Sequence, residues 1–152
     1  MDKSDFYSLL RGRGDNKRDL SKPFPGMKRT KLELEFIFRA SPTIIYTFLT
    51  APACLVRWFC DAVDINGMEY SFSWNESAET ANLTEDIEEE KIHFEWSDKE
   101  AGEFLEFRIS TSPVTGETIL EITDFCDADE VQDYKSLWES QMRILRKEMG
   151  DA

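Results

Sequence analysis

The stretch Thr118–Met149 reads TILEITDFCDADEVQDYKSLWESQMRILRKEM, and its period changes half-way along. Over Thr118–Phe125 apolar and polar residues alternate. Leu120 and Ile122 fall on one face with Asp124 in phase, the pattern of a half-buried strand. From Val131 the spacing becomes three and four. Val131, Tyr134, Trp138, Met142, Leu145 and Met149 then form one stripe along a long helix. Asp127 or Asp129 is placed to cap this helix, Arg143, Arg146 and Lys147 suit the negative end of its dipole, and Gly150 is placed to end it. A strand running into one long amphipathic helix decides the fold class, because an apolar sheet face needs a cover and this helix is long enough to be one.

Upstream, period two recurs. Glu103–Thr111 sets Leu105, Phe107 and Ile109 on one face. Lys91–Ser97 sets Ile92, Phe94 and Trp96 on one face and His93 and Glu95 on the other. Ala78–Ile87 is a weaker strand with Ala81 and Leu83 in phase, and Met68–Trp74 aligns Tyr70, Phe72 and Trp74. Asn66-Gly67 joins that strand to Ala62–Ile65, since both residues tolerate the positive φ of a hairpin turn. The connections Asn75-Glu76-Ser77, Glu88-Glu89-Glu90 and Pro113 to Gly116 are short, which predicts an antiparallel meander. The first strand, Thr30–Arg39, alternates Leu32, Leu34, Phe36 and Phe38 with Lys31, Glu33 and Glu35. Ser41-Pro42 then opens a short helix over Thr43–Leu49, and Pro52 restarts a second running to Trp58. The prediction is an α+β fold. A curved antiparallel sheet of six to seven strands wraps a long C-terminal helix, two short helices follow the first strand, and a cavity can lie between helix and concave face.

The 152 residues suit one domain. Thirty-one acidic residues against 18 basic ones give a net charge of −13, which argues against nucleic acid and anionic membrane surfaces as partners. The charge is unevenly spread: residues 1–31 carry +5 and the remaining 121 carry −18. Residues 1–29, with turn formers such as Gly12, Gly14 and Pro23-Phe24-Pro25-Gly26, read as a flexible basic tail before a domain at 30–150, and Met27 is an alternative start. No apolar run approaches the roughly 20 residues of a membrane span, and the first 30 residues lack the apolar core of a secretion signal. Cys54, Cys60 and Cys126 make no Cys-x-x-Cys pair and read as reduced thiols of a cytoplasmic protein.

Several motifs in order resemble those of the helix-grip, or START-like (SRPBCC), superfamily. Ala40-Ser41-Pro42 is followed by Leu55-Val56-Arg57-Trp58-Phe59. A strand then ends His93-Phe94-Glu95-Trp96, another reads Thr118-Ile119-Leu120-Glu121-Ile122-Thr123, and Trp138 lies in the final helix. The likeness spans about residues 30–149 and is similar to the branch of activators of the heat-shock chaperone ATPase, and to uncharacterised bacterial START-like proteins. Asp124 stands where that branch often has a histidine. The resemblance implies the helix-grip fold and, among the roles of the superfamily, binding of lipids, sterols or polyketides.

Catalysis finds little footing. Ser–His or Cys–His chemistry needs a histidine beside the nucleophile. The single His93 is in phase with the polar face of its strand, so it is expected in solvent. One histidine and three scattered cysteines do not make a zinc site, Asp86–Glu90 lacks the spacing of a calcium loop, and no Gly-rich phosphate loop is present. No metal or cofactor is expected, and the chain reads as non-enzymatic. The aromatic residues Trp58, Phe59, Tyr70, Phe72, Trp74, Phe94, Trp96, Phe107, Tyr134 and Trp138 converge between sheet and helix, with Asp124 the inward acid. They are the candidate lining of a pocket for a small hydrophobic or lipid-like ligand. The alternative is that these rings fill the space and the protein is a co-chaperone-like or homodimeric interaction module, with Ile119 and Phe125 on the outer face as candidate contacts.

Overall fold

A computed structural model describes residues 28–97 and 102–151. Seven strands form one antiparallel sheet in the order β1-β7-β6-β5-β4-β3-β2. They are β1 (Arg29–Phe38), β2 (Ala62–Asn66), β3 (Glu69–Trp74), β4 (Ser77–Ile87), β5 (Lys91–Trp96), β6 (Phe104–Thr111) and β7 (Thr118–Asp127). Two short helices, α1 (Pro42–Thr50) and α2 (Pro52–Trp58), follow β1, and α3 (Val131–Met149) closes the chain. The expected helix-grip architecture is present.

The alternation explains the two faces. β1 pairs with β7 so that Leu34 lies opposite Ile122, Phe36 opposite Leu120 and Leu32 opposite Asp124. These residues continue across the sheet into Phe107, Phe94, Leu83 and Tyr70, all buried against the helices. α3 presents Tyr134, Leu137, Trp138, Gln141, Met142 and Leu145 to this face. α1 and α2 pack against α3 and against β6 and β2. A β-bulge after Leu83 leaves Thr84 unpaired, and beyond it residues 84–88 are all exposed.

Three local expectations are corrected. Asn66 pairs with Glu69, so the hairpin loop is Gly67-Met68 rather than Asn66-Gly67. Gly67 at φ 65° takes the first loop position, where a primed turn needs positive φ. Neither Asp127 nor Asp129 caps α3: a 3₁₀ turn over Ala128–Glu130 intervenes, and the Asp127 carboxylate accepts instead from Arg29 at 2.9 Å. Arg29, assigned above to the tail, begins β1, and its guanidinium also grips both oxygens of Glu103 at 2.8 Å. The expected tail up to residue 27 lies outside the described residues. Finally, Ser41 Oγ does accept from Ile44 N–H at 3.3 Å as the N-cap of α1, and Gly150 at φ 75° ends α3 as expected.

Candidate functional site

Strand parity for seven residues, and the helices for Trp58, Phe59, Tyr134 and Trp138, bring all eleven candidates to the interior, and none is more than 6% exposed. Nine of the aromatic side chains form one continuous network. Phe59 sits edge-on to Phe72 at 5.0 Å and to Trp74 at 5.5 Å, and Tyr70 meets Phe94 at 5.1 Å. Phe72 reaches Phe94 and Trp96, Trp58 contacts Phe59 and Phe107, and Phe107 meets Trp138 at 6.1 Å. These are the spacings of rings in direct contact with one another. The indole N–H groups are occupied as well: Trp58 donates to Phe48 O at 2.8 Å and Trp74 to Phe59 O at 2.7 Å.

Buried polar groups interrupt this network at two places. Asp124 is inward, as its phase predicts, and its carboxylate accepts from Trp138 Nε1 at 3.1 Å and from Phe125 N–H at 2.8 Å. Asp124 thus ties the last strand to α3. Burial, then the Asp124 charge, push the Tyr134 hydroxyl well above its usual range and the Cys126 thiol up to about 11. The second place is Gln141, which sequence reasoning missed. Its Nε2 donates to Trp58 O at 2.7 Å, while its fully buried Oε1 has no hydrogen-bond partner among the described residues. At the far side of the interior, Tyr46 of α1 donates to Asp86 at 2.6 Å and Thr43 to Glu89 at 2.8 Å, fastening α1 to the β4–β5 hairpin. Burial, with the Asp86 contact, raises the Tyr46 hydroxyl above its ordinary range.

Among the described residues an open volume lies on the other face. A trough of about 570 Å³ runs over β1, β7 and β6, lined by Lys31, Glu33, Glu35, Phe104, Glu106, Arg108, Glu121 and Thr123. At its side Glu106, opposite His93 in register, is buried although it faces outward. His93 Nδ1 lies 2.7 Å from one carboxylate oxygen and Arg108 Nε donates to the other at 2.7 Å, with Lys91 Nζ at 3.7 Å. Burial alone would raise the Glu106 carboxyl, but the bonds from His93 and Arg108 and the charges of Arg108 and Lys91 outweigh it and hold the carboxyl below its usual range. His93 therefore shows the expected parity but not the expected exposure: its side chain is 16% exposed, stacked on Phe104 at 4.4 Å. Phe125, a candidate surface contact, is half-buried edge-on to Phe104 at 5.1 Å, whereas Ile119 lies beside the exposed Ile37. The His93 ring lies against the carboxylates of Glu106 and Glu95 and the ring of Phe104. Among the described residues no group of three or more His, Cys, Asp or Glu side chains is placed to hold a metal ion, and no helix is long and apolar enough to cross a membrane.

A family model of the START-like superfamily domain matches residues 27–151, a span that includes every described residue. The chain belongs to the START-like superfamily. Solved structures agree. BfR322 from Bacteroides fragilis is 33% identical, the match covering 79% of this chain and 90% of that one, with a TM-score of 0.59. The Aha1 dimer from Colwellia psychrerythraea is 18% identical over 81% of this chain and 95% of that one, with a TM-score of 0.61. The AHSA1-like protein from Aeromonas hydrophila is 14% identical over 78% and 90%, with the same TM-score. The last two show likeness of fold alone. No curated protein matches the chain. Within this START-like domain the motifs read from the sequence fall on α2, β5, β7 and α3.

Proposed function

We propose that this START-like domain is a non-catalytic interaction module whose working surface is the outer face of the sheet, and that it does not carry a small molecule. One observation supports this above others. The space where a hydrophobic ligand would sit is occupied by the protein's own ring network, while the open trough of about 570 Å³ lies over β1, β7 and β6. The trough is charged on both walls, and its four glutamates outnumber Lys31 and Arg108. It suits an extended, positively charged protein segment with hydrogen-bonding groups. That a fold relative, the Colwellia Aha1, was solved as a dimer is in keeping with an interaction role.

A second reading rests on Gln141. A buried acceptor without a partner costs about 1–3 kcal/mol, and the hydroxyl of an apolar ligand or a trapped water would remove that cost. Its amide orientation is fixed by chemistry, because reversing it would set Oε1 against the Trp58 carbonyl. In this reading Trp58, Phe59, Trp138 and their neighbours open around a guest.

Native mass spectrometry of protein taken from cells, with an NMR titration against a lysine-rich peptide, separates the two. The interaction reading expects no added mass and peptide-induced shifts at Lys31, Glu33, Glu106 and Thr123. A bound apolar mass with shifts at Gln141 and Trp58 would replace it with the ligand reading.

A further inference from the structure

Among the described residues the sheet leaves one long edge open. β1 is ten residues without proline or bulge, whereas the other edge strand, β2, is five residues and packs against α2. A regular unpaired strand is a template for another strand.

The register fixes which groups face outward. Arg29 lies opposite Asp127, and one step further Ala128 N–H donates to Lys28 O at 2.8 Å. In an antiparallel ladder the bonded pairs alternate. Even-numbered residues of β1 therefore bond to β7, and Arg29, Lys31, Glu33, Glu35 and Ile37 turn their N–H and C=O groups to the open edge. Arg39 obeys the same phase, since its N–H points outward into the Asp151 carboxylate at 3.0 and 3.1 Å.

Those residues also place their side chains on the outer face, and their charges run plus, plus, minus, minus: Arg29, Lys31, Glu33, Glu35. Charges on an edge strand ordinarily blunt it. This order instead makes the strand complementary to itself in one register. We infer that a second copy of this chain pairs β1 to β1, antiparallel about a two-fold axis at Leu32, joining the two seven-stranded sheets into one. Lys31 then lies opposite the partner's Glu33 and Arg29 opposite the partner's Glu35, each twice, and about eight backbone hydrogen bonds form. Arg29 already holds Glu103 and Asp127, so the two Lys31–Glu33 pairs carry most of the register. Neighbouring registers fail. An axis at Lys31 or at Glu33 sets that residue against its own copy. An axis at Leu34 sets Glu33 against Glu35 twice and brings the partner strand to Arg39, whose N–H Asp151 occupies. This pairing does not depend on what the interior binds, but it shares Lys31, Glu33 and Glu35 with the trough, so self-association read without any peptide tests it separately from the trough reading.

The test is sedimentation equilibrium of the full chain with two charge variants and their combination. Lys31 and Glu33 side chains are 54% and 72% exposed, so folding survives their replacement. Lys31→Glu and Glu33→Lys each turn both central pairs into repulsions and are expected to weaken the dimer about tenfold or more. The double variant restores opposite charges and is expected to return to within about threefold of the parent. An equimolar mixture of the two single variants is expected to form mixed dimers. Hydrogen exchange adds an independent reading, with the amides of Lys31, Glu33 and Glu35 becoming protected as concentration rises. A chain monomeric at every concentration reached, a dimer indifferent to the single variants, or a double variant that fails to recover would each overturn the inference.

Discussion

Replacing Glu106 by Gln removes a buried negative charge and keeps the shape. Glu106 is 7% exposed and its two oxygens are engaged at 2.7 Å by His93 and by Arg108. Bonds to a charged group are worth about 1.5–3 kcal/mol each, but Arg108 is 55% exposed, so its share falls to about 0.5 kcal/mol. A glutamine still accepts from Arg108 through its oxygen, and its amide can donate to Nδ1 of the other His93 tautomer. The loss is then the charge-assisted part alone, about 1–2 kcal/mol near neutral pH, or about 4–8 °C in melting temperature. The pH dependence gives the sharper test. The folded carboxyl lies below the ordinary value of 4.5, so its contribution is complete above that value and fades as pH falls through the folded value. Thermal melts of parent and Glu106→Gln should differ near neutral pH and converge in acid. A gap that persists unchanged into acid would refute an ionised Glu106 as its source.

Three further outcomes are expected. Arg29→Met leaves Glu103 and Asp127, 11% and 16% exposed, without their cation, and should cost about 2–4 kcal/mol by urea unfolding at low protein concentration, with Arg29→Lys recovering only part because it lacks the fork. In thiol labelling of the folded protein, half-buried Cys54 should react first, while Cys126, its thiol pushed up to about 11 by burial, stays unmodified until unfolding; early labelling of Cys126 would contradict its burial. Deleting residues 1–26 should leave a folded domain with an unchanged circular-dichroism melt, since β1 begins at Arg29 and the family match at residue 27; loss of the cooperative transition would place those residues in the fold.

Which residues face inward was legible from period alone, because parity in a strand is local. Tyr70, Phe94, Phe107 and Asp124 needed no knowledge of the sheet order. What surrounds an outward residue was not legible. His93 was expected in solvent, and it is shielded by Phe104 and Glu106, residues more than ten positions away that only the β5–β6 register brings alongside. The open edge was hidden for the same reason. β1 ends the sheet because it pairs with β7, the most distant strand in sequence, and its plus-plus-minus-minus order acquires meaning only once it is known to lie at an edge. Gln141 was missed differently. Its position, three after Trp138, belongs to the apolar stripe, but a polar residue there reads as the border of the stripe until its burial is seen.

The question of filled core against ligand pocket comes down to α1. This helix buries Ile45, Phe48 and Leu49, and Phe48 O receives the Trp58 indole, so displacing it is a direct way to reach the rings. Two surface hydrogen bonds, Tyr46 to Asp86 and Thr43 to Glu89, hold it to the β4–β5 hairpin. Together they contribute about 1–2 kcal/mol, little beside three buried apolar side chains at about 1.5–3 kcal/mol each. If packing is what keeps the interior shut, Tyr46→Phe should lower stability by about 1 kcal/mol and leave the protein unable to take up a hydrophobic dye. If the interior is a pocket gated by α1, the same change shifts the closed–open balance by the lost bond, up to about fivefold, and dye uptake should rise accordingly. Dye fluorescence and a urea midpoint on the same samples separate these cases, and saturable dye binding by the folded Tyr46→Phe variant would end the filled-core reading.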